Sequence, residues 1–256
     1  MDLNILVCVK RVPAPGAKMT LTADEQQMET RYLGFAISPH EECAAEAAVQ
    51  LVDAHGGKSA VLTLGTNESL EQLRYCMAMG IDRAILMERE GDDWDAMATS
   101  RAIIDAIQAQ QAAGEEFNLL LFGNESADSG GYQVGIRVAH ALGMPCVAGI
   151  KALDIQGDVA VAKREIAGGW EIFEVPLPAV FTVKEGINLP RYPSVPGRLK
   201  AKKKPVDESQ PTPQLGDLTK VRLRVPEEQS VEVQILGHGP DAAPKVVEIM
   251  QELGVL

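Results

Sequence analysis

Short apolar runs alternate with longer helix-like stretches along the first part of the chain. The apolar runs are strand-length and rich in Val, Ile, Leu and Phe, and they lie at residues 4–10, 59–64, 83–87 and 117–122. The stretches between them have helical character and lie at residues 43–52, 67–79, 94–111 and 131–142. Strands that alternate with helices indicate a parallel sheet covered on both faces. The pattern therefore predicts an α/β fold with a doubly wound, mostly parallel sheet, the Rossmann-like architecture that binds adenine nucleotides.

The pattern changes after this alternation. Residues 159–166 and 170–175 are β-rich and are joined by Ala167-Gly168-Gly169. Two such runs around a glycine-containing connection predict an added β-hairpin. Residues 180–184 predict one more strand.

The last part of the chain is irregular, with six prolines in residues 190–213. Such a segment cannot build its own core and is expected to lie over another surface. A strand at residues 230–236 and a helix at residues 242–253 are predicted to close the chain. We therefore expect an α/β nucleotide-binding domain at residues 1–190 and an extended C-terminal arm at residues 191–256 that packs on a partner.

Charge and composition exclude several classes of function. The net charge of −12 does not suit nucleic acid, whose phosphates are held by basic surfaces. The apolar runs are far shorter than the roughly 20 residues of a membrane span, and the N-terminus lacks the pattern of a signal peptide. We therefore expect a cytoplasmic protein without membrane insertion. The four cysteines and four histidines show no metal-ligand spacing.

Candidate binding residues lie where predicted strands end and helices begin. Cys8 lies near the end of the first strand, and Leu64 ends the strand at residues 59–64. Ser38-Pro39-His40-Glu41 has the form of a helix start, with Ser38 as the N-cap, Pro39 at the first helical position and Glu41 completing a capping box. In open parallel sheets, ligands bind beyond the carboxyl ends of the strands, next to helix N-termini.

A long polar loop follows the apolar strand at residues 117–122 and precedes a helix. It consists of Gly123, Asn124, Glu125, Ser126, Ala127, Asp128, Ser129, Gly130, Gly131, Tyr132, Gln133 and Val134. Glycines allow close backbone approach, and Ser, Asp and Gln supply hydrogen-bonding groups. A nucleotide phosphate or ribose would fit there, and an ordinary polar crossover loop is the alternative.

No catalytic constellation emerges from the sequence. The positions of His, Ser, Cys and Asp indicate neither a nucleophile beside a base nor paired carboxylates. Five positive charges lie within residues 198–204, which on charge alone are typical of a solvated basic segment. Residue patterns by themselves thus lead to a nucleotide-binding α/β domain with a partner-binding arm.

Several segments, in the right order, resemble the beta subunit of electron-transfer flavoproteins. They are residues 5–12, 78–84, 163–169 with 177–180, 188–194 and 200–204. The resemblance implies a heterodimer in which the alpha subunit holds most of one FAD and receives electrons from a flavin-dependent dehydrogenase. It also implies that this chain has no catalytic residues and buries an AMP with a structural role. The AMP contacts would fall on Cys8, Ser38 to Glu41, Leu64 and the loop Gly123 to Val134.

The resemblance also implies two contact regions. Val195 stands where the family places a leucine that anchors the dehydrogenase, and the docking region includes Tyr192, Pro196 and Lys200. Glu165 occupies the position that reaches toward the mobile FAD domain of the alpha subunit. In this light the basic segment flanks the docking loop.

Some positions depart from the family pattern. The family often has Asn-Pro-Phe where this chain has Ser38-Pro39-His40, and a tyrosine near the flavin falls on Pro15. Residues 128–131 read Asp-Ser-Gly-Gly, not the Asp-Thr-Ala-Gln of bifurcating relatives that hold a second FAD. We therefore expect AMP, with a bifurcating-type subunit that binds a second FAD as one alternative. A stand-alone nucleotide-binding regulatory protein is another, but it leaves the arm unexplained.

Overall fold

The computed structural model describes residues 2–16, 18–214, 216–226 and 233–256. The strands are β1 (Leu3–Cys8), β2 (Arg11–Pro13), β3 (Phe35–Ile37), β4 (Gly57–Gly65), β5 (Arg83–Glu88), β6 (Leu119–Gly123), β7 (Cys146–Gln156), β8 (Val159–Ile166), β9 (Gly169–Pro176), β10 (Ala179–Val183) and β11 (Val206–Ser209). The helices are α1 (Pro39–His55), α2 (Leu70–Met79), α3 (Ala96–Ala112), α4 (Val134–Leu142), α5 (Val195–Ala201) and α6 (Ala243–Glu252). Short 3₁₀ turns precede α2 and α6.

Within the described residues, a nine-stranded sheet runs in the order β11-β5-β4-β1-β6-β10-β7-β8-β9. The strands from β11 to β7 are parallel, and the β8–β9 hairpin adds two antiparallel strands. β1 and β10 are buried along their whole length. Near-continuous apolar strands of this kind require helices on both faces. The predicted α/β class and the hairpin are confirmed.

Two apolar clusters fill the space between the sheet and its helices. Residues of α1 and α2 pack on one face of the sheet, and residues of α3 and α4 pack on the other. From β1 the chain moves outward to β4 and β5, and it then crosses to β6 on the other side of β1. Open α/β sheets bind ligands in a crevice at such a reversal, and here that place, called the crevice below, falls at the carboxyl ends of β1 and β6.

Several elements differ from the sequence prediction. β7 was not predicted, because it joins β10 through its first half and the hairpin through its second half, with a register shift at residues 147–150, where Gly149 has a left-handed φ of 72°. Its residues therefore mix apolar and polar positions with no single period. The first strand ends at Cys8, two residues early, and α4 begins at Val134, because residues 131–133 belong to the preceding loop.

The segment expected to be irregular contains α5 and β11. β11 pairs with β5 and becomes the edge of the main sheet, whereas α5 packs on α2. The division of the chain after residue 190 stays a prediction. Residues 230–232 of the predicted last strand lie outside the described residues, and residues 233–236 form no strand. Within the described ranges, no helix is both long and apolar enough to cross a membrane.

Candidate functional site

Three strand ends and one helix start converge at the crevice. Cys8 is paired in register with Leu62 of β4 and Phe122 of β6, so the carboxyl ends of the three strands lie side by side. Cys8 is buried, and Leu64 is half-buried one residue before the end of β4. These residues therefore lie along one edge of the sheet, as the sequence predicts.

The start of α1 is tied to the loop after β6. The Ser38 hydroxyl donates to the Glu125 carbonyl oxygen at 3.3 Å and accepts from the Ala127 amide at 3.2 Å. Pro39 occupies the first turn of α1 as predicted, but Ser38 makes no side-chain cap, so the capping box is wrong. The Ser38 hydroxyl is hydrogen-bonded to the loop and therefore does not cap the helix.

Glu41 is a buried acidic residue at the site. Its carboxylate accepts the Lys10 amide, and its side chain lies against Gly123, where an added Cβ would come within 2.5 Å of Glu41 Cγ. A side chain at position 123 would therefore displace Glu41. Burial raises the pKa of Glu41 to about 8, although the hydrogen bond from the Lys10 amide and the Lys10 charge oppose this shift.

Lys10 forms an ion-pair cluster beside Glu41. Its ammonium contacts Asp128 in the loop and lies 3.0 Å from Asp93, which follows β5. Burial disfavours the Lys10 charge, but the two carboxylates outweigh it and raise the Lys10 pKa. Lys10 and Asp93 were missed as candidate residues, although Lys10 is the last residue of the predicted first strand.

His40 connects two loops at the same edge. Its Nδ1 accepts the Glu185 amide at 2.8 Å, and its Nε2 lies 3.4 Å from Glu125 Oε1. The loop after β6 is also joined to β10, because the Asn124 amide donates to the Val183 carbonyl at 2.8 Å. His40 thus acts as a polar bridge between these two loops.

The remainder of the loop is exposed but internally ordered. The Ser126 and Ser129 hydroxyls are hydrogen-bonded to each other at 2.7 Å, and the Ser129 amide donates to Asp128 Oδ1 at 2.8 Å. Tyr132 adopts a left-handed φ of 56°, which is uncommon for a bulky residue. Residues with such strained backbone conformations are found most often at functional sites, including those that bind ligands. Within this loop, residues 127–133 are all exposed, and Val134 opens α4.

The segment predicted to dock a dehydrogenase lies on another part of the surface. Val195 is 72% exposed at the start of α5, and Tyr192, Pro196 and Lys200 are also exposed. The segment is anchored by Arg191, which pairs with the buried Glu46 of α1 at 2.9 Å. Lys204 was counted with the flanking basic cluster but points inward to the end of α2, so that part of the interpretation is corrected.

Glu165 belongs to a third region. It lies exposed on β8, and the Lys151 ammonium donates to its carboxylate at 2.7 Å. This hydrogen bond lowers the Glu165 pKa, so the side chain is a fixed negative charge at neutral pH. The Glu165 carboxylate lies outside the crevice, at an exposed position of the β8–β9 hairpin.

Other chemistry at these positions is limited. Burial raises the pKa of the Cys8 and Cys76 thiols, which keeps them unreactive at neutral pH. In the described ranges, no cluster of three or more His, Cys, Asp or Glu side chains is arranged to hold a metal ion. Two small cavities, of about 250 and 210 Å³, are lined by residues 142–145 with 176–178 and by residues around Met19 with Leu223, and neither includes a predicted site residue.

Comparisons with known proteins agree with the resemblance seen in the sequence. The family model described as "Electron transfer flavoprotein domain" matches residues 27–214. The chain is 37% identical over 206 residues to "Electron transfer flavoprotein subunit beta" of Bacillus subtilis, which covers 80% of this chain and 78% of the relative. The relative of the same name from Bradyrhizobium diazoefficiens is 30% identical over 262 residues, 99% of this chain and 100% of the relative. "Caffeyl-CoA reductase-Etf complex subunit CarD" of Acetobacterium woodii is 32% identical over 206 residues, 80% and 77% of the two chains.

Proposed function

This chain belongs to the beta subunits of the electron transfer flavoprotein family, and we propose that it forms a heterodimer with an alpha subunit that holds most of one FAD. The bound flavin accepts electrons from a flavin-dependent dehydrogenase and passes them on. This chain serves as an electron-carrier subunit without catalytic residues of its own. The observation that carries the proposal is the convergence of the strand ends, the α1 start and the loop after β6 on one crevice.

We infer that AMP binds in this crevice with a structural role. The chain fits such a ligand because Gly123 lets the loop pass close to α1, and Tyr132 holds a strained backbone next to the N-terminus of α4. Backbone amides at a helix N-terminus favour phosphate. Ser126, Ser129 and Asp128 supply side-chain groups for the ribose or phosphate. A nucleotide bound there would contact α1, α4 and the loop after β6 and would hold these three elements together.

Two further surfaces complete the proposal. Val195 and its exposed neighbours Tyr192, Pro196 and Lys200 dock the dehydrogenase, and Glu165 contacts the FAD domain of the alpha subunit. The docking surface has an apolar centre and basic surroundings, which suits a partner with an apolar pocket and an acidic rim. Glu165 carries a fixed charge on an exposed strand, as an intermittent contact with a mobile domain requires.

The nucleotide content of the native complex tests the proposal directly. We expect the tagged chain, isolated from its own cells, to carry one larger companion chain and about one FAD and one AMP per heterodimer. The measurement is denaturation followed by chromatographic quantification of both nucleotides against protein. Two FAD and no AMP would establish the bifurcating alternative, and a homodimer without flavin would contradict the proposed function.

Changing Asp128 and Ser129 together to alanine is expected to lower the AMP content of the heterodimer at least several-fold. The double change removes the Asp128 pairing with Lys10 and the Ser129 contact with Ser126. Asp158→Ala, at an exposed position in the turn between β7 and β8, is the matched control. Unchanged AMP content in the double variant would remove these two residues from the site.

A further inference from the structure

The carboxyl end of α2 is capped by a lysine that lies far away in the sequence. Lys204 Nζ donates to the carbonyl oxygens of Met77 at 3.0 Å, Gly80 at 3.3 Å and Ile81 at 2.6 Å. The last carbonyls of a helix have no partner within the helix, and an ammonium has three protons to donate. Lys204 therefore directs its full hydrogen-bonding capacity to the end of α2.

The reverse contact exists at the end of α5. Arg74 of α2 donates from one guanidinium nitrogen to the carbonyl oxygens of Ala201 at 2.6 Å and Lys204 at 2.8 Å. Each of the two helices thus has a cation from the other segment at its carboxyl end. Cations at that end also interact favourably with the helix dipole.

Close backbone packing holds α5 in the same position. An added Cβ at Gly197 would lie 2.7 Å from the Ala78 carbonyl oxygen, so α5 approaches α2 more closely than an alanine would permit. Ala201 is 1% exposed and faces the core, whereas Val195 and Leu199 are exposed. One side of α5 is therefore attached to α2, and the apolar side chains for docking are on the other side.

We propose that Arg74 and Lys204 are positioning residues that form a reciprocal clamp, which fixes α5 on α2 in the orientation that presents Val195 to the dehydrogenase. This inference rests on the proposed docking function. A helix of seven residues is not stable by itself, so the contacts with α2 determine its conformation. A docking surface that is ordered before binding does not lose conformational entropy when the partner arrives.

The test compares two lysine variants of the FAD-loaded heterodimer. Lys204→Met removes the lysine half of the clamp, and Lys203→Met removes the same charge from an exposed neighbour. We expect Lys204→Met to speed hydrogen exchange of the amides at residues 197–203 about tenfold. We also expect it to raise the KM for the heterodimer about tenfold, with a nearly unchanged kcat, when the reductant is a purified flavin dehydrogenase that reduces the wild-type heterodimer.

Further variants separate the inference from the function on which it rests. Gly197→Ala displaces α5 without changing any charge, so it is expected to raise the same KM even if Lys204→Met does not fold. If Lys204→Met and Gly197→Ala both match Lys203→Met while Val195→Asp slows reduction, the clamp is overturned and the docking function stands. If Val195→Asp also leaves reduction unchanged, the docking function and the clamp both fail. FAD and AMP contents equal to wild type in all variants show that the effect is confined to docking.

Discussion

Val195→Asp is expected to lower kcat/KM for reduction of the heterodimer by its dehydrogenase about 100-fold, with FAD and AMP contents unchanged. Val195 is 72% exposed, so the change does not disturb the core of this chain. In the docked complex the same side chain would be buried in an apolar pocket, where an unpaired carboxylate is strongly unfavourable. The measurement is the steady-state rate of flavin reduction at varied heterodimer concentration.

An apolar substitution at the same position provides the control. Val195→Leu adds one methylene, which is worth about 0.8 kcal/mol of burial and so at most about a fourfold change in affinity. It is therefore expected to preserve or improve reduction by the dehydrogenase. A wild-type rate for Val195→Asp would show that this side chain does not anchor the partner. Loss of flavin from the variant would instead place Val195 at the subunit interface.

Glu41→Gln is expected to change the pH dependence of stability. The pKa of Glu41 is about 8 in the folded protein against an ordinary value of 4.5. The folded state therefore favours the neutral carboxyl, and the stability from this group is fully present below pH 4.5. It is lost as the pH rises through 8, for a total of about 4–5 kcal/mol. Glutamine is neutral at every pH and resembles the protonated acid, so the variant escapes this loss.

The measurement is the unfolding temperature of the heterodimer between pH 5 and pH 9. Relative to wild type, Glu41→Gln is expected to gain stability as the pH rises from 5 to about 8, and the difference should level off above that pH. Glu71→Gln, the same chemical change at an exposed position of α2, serves as the control and should give a constant difference. A constant difference for Glu41→Gln as well would mean that Glu41 is ionised throughout, stabilised by the Lys10 amide and charge.

Local signals were sufficient for much of the site. The start of α1 is predictable, because Pro39 at the first helical position and a serine before it have a local structural meaning. The same local rule misassigned Ser38 and Glu41 to a capping box. Their actual partners, the backbone of residues 125–127 and the Lys10 amide, are distant in sequence and meet them only because β1 and β6 are neighbours.

The segment proposed to dock the dehydrogenase shows the same distinction. Prolines and basic residues in residues 190–204 predict an exposed segment, and all four residues proposed for docking are exposed. The short helix α5 was not predicted, because seven residues with Pro196 and Gly197 carry no helical period of their own. In the structure it contacts Arg74, Lys204 and Ala78, and these contacts all depend on the position of α2.

Sequence alone determined the fold class of this protein, the loop at the crevice and the family to which it belongs. Strand-length apolar runs and glycine-rich turns act over a few neighbouring residues, so their meaning can be read without the fold. Only the tertiary structure decided which charges are paired and which are buried, as for Glu41, Lys10 and Lys204. Those properties depend on the distance between groups far apart in the chain and on the removal of water around them, and neither quantity is contained in a local pattern of residues.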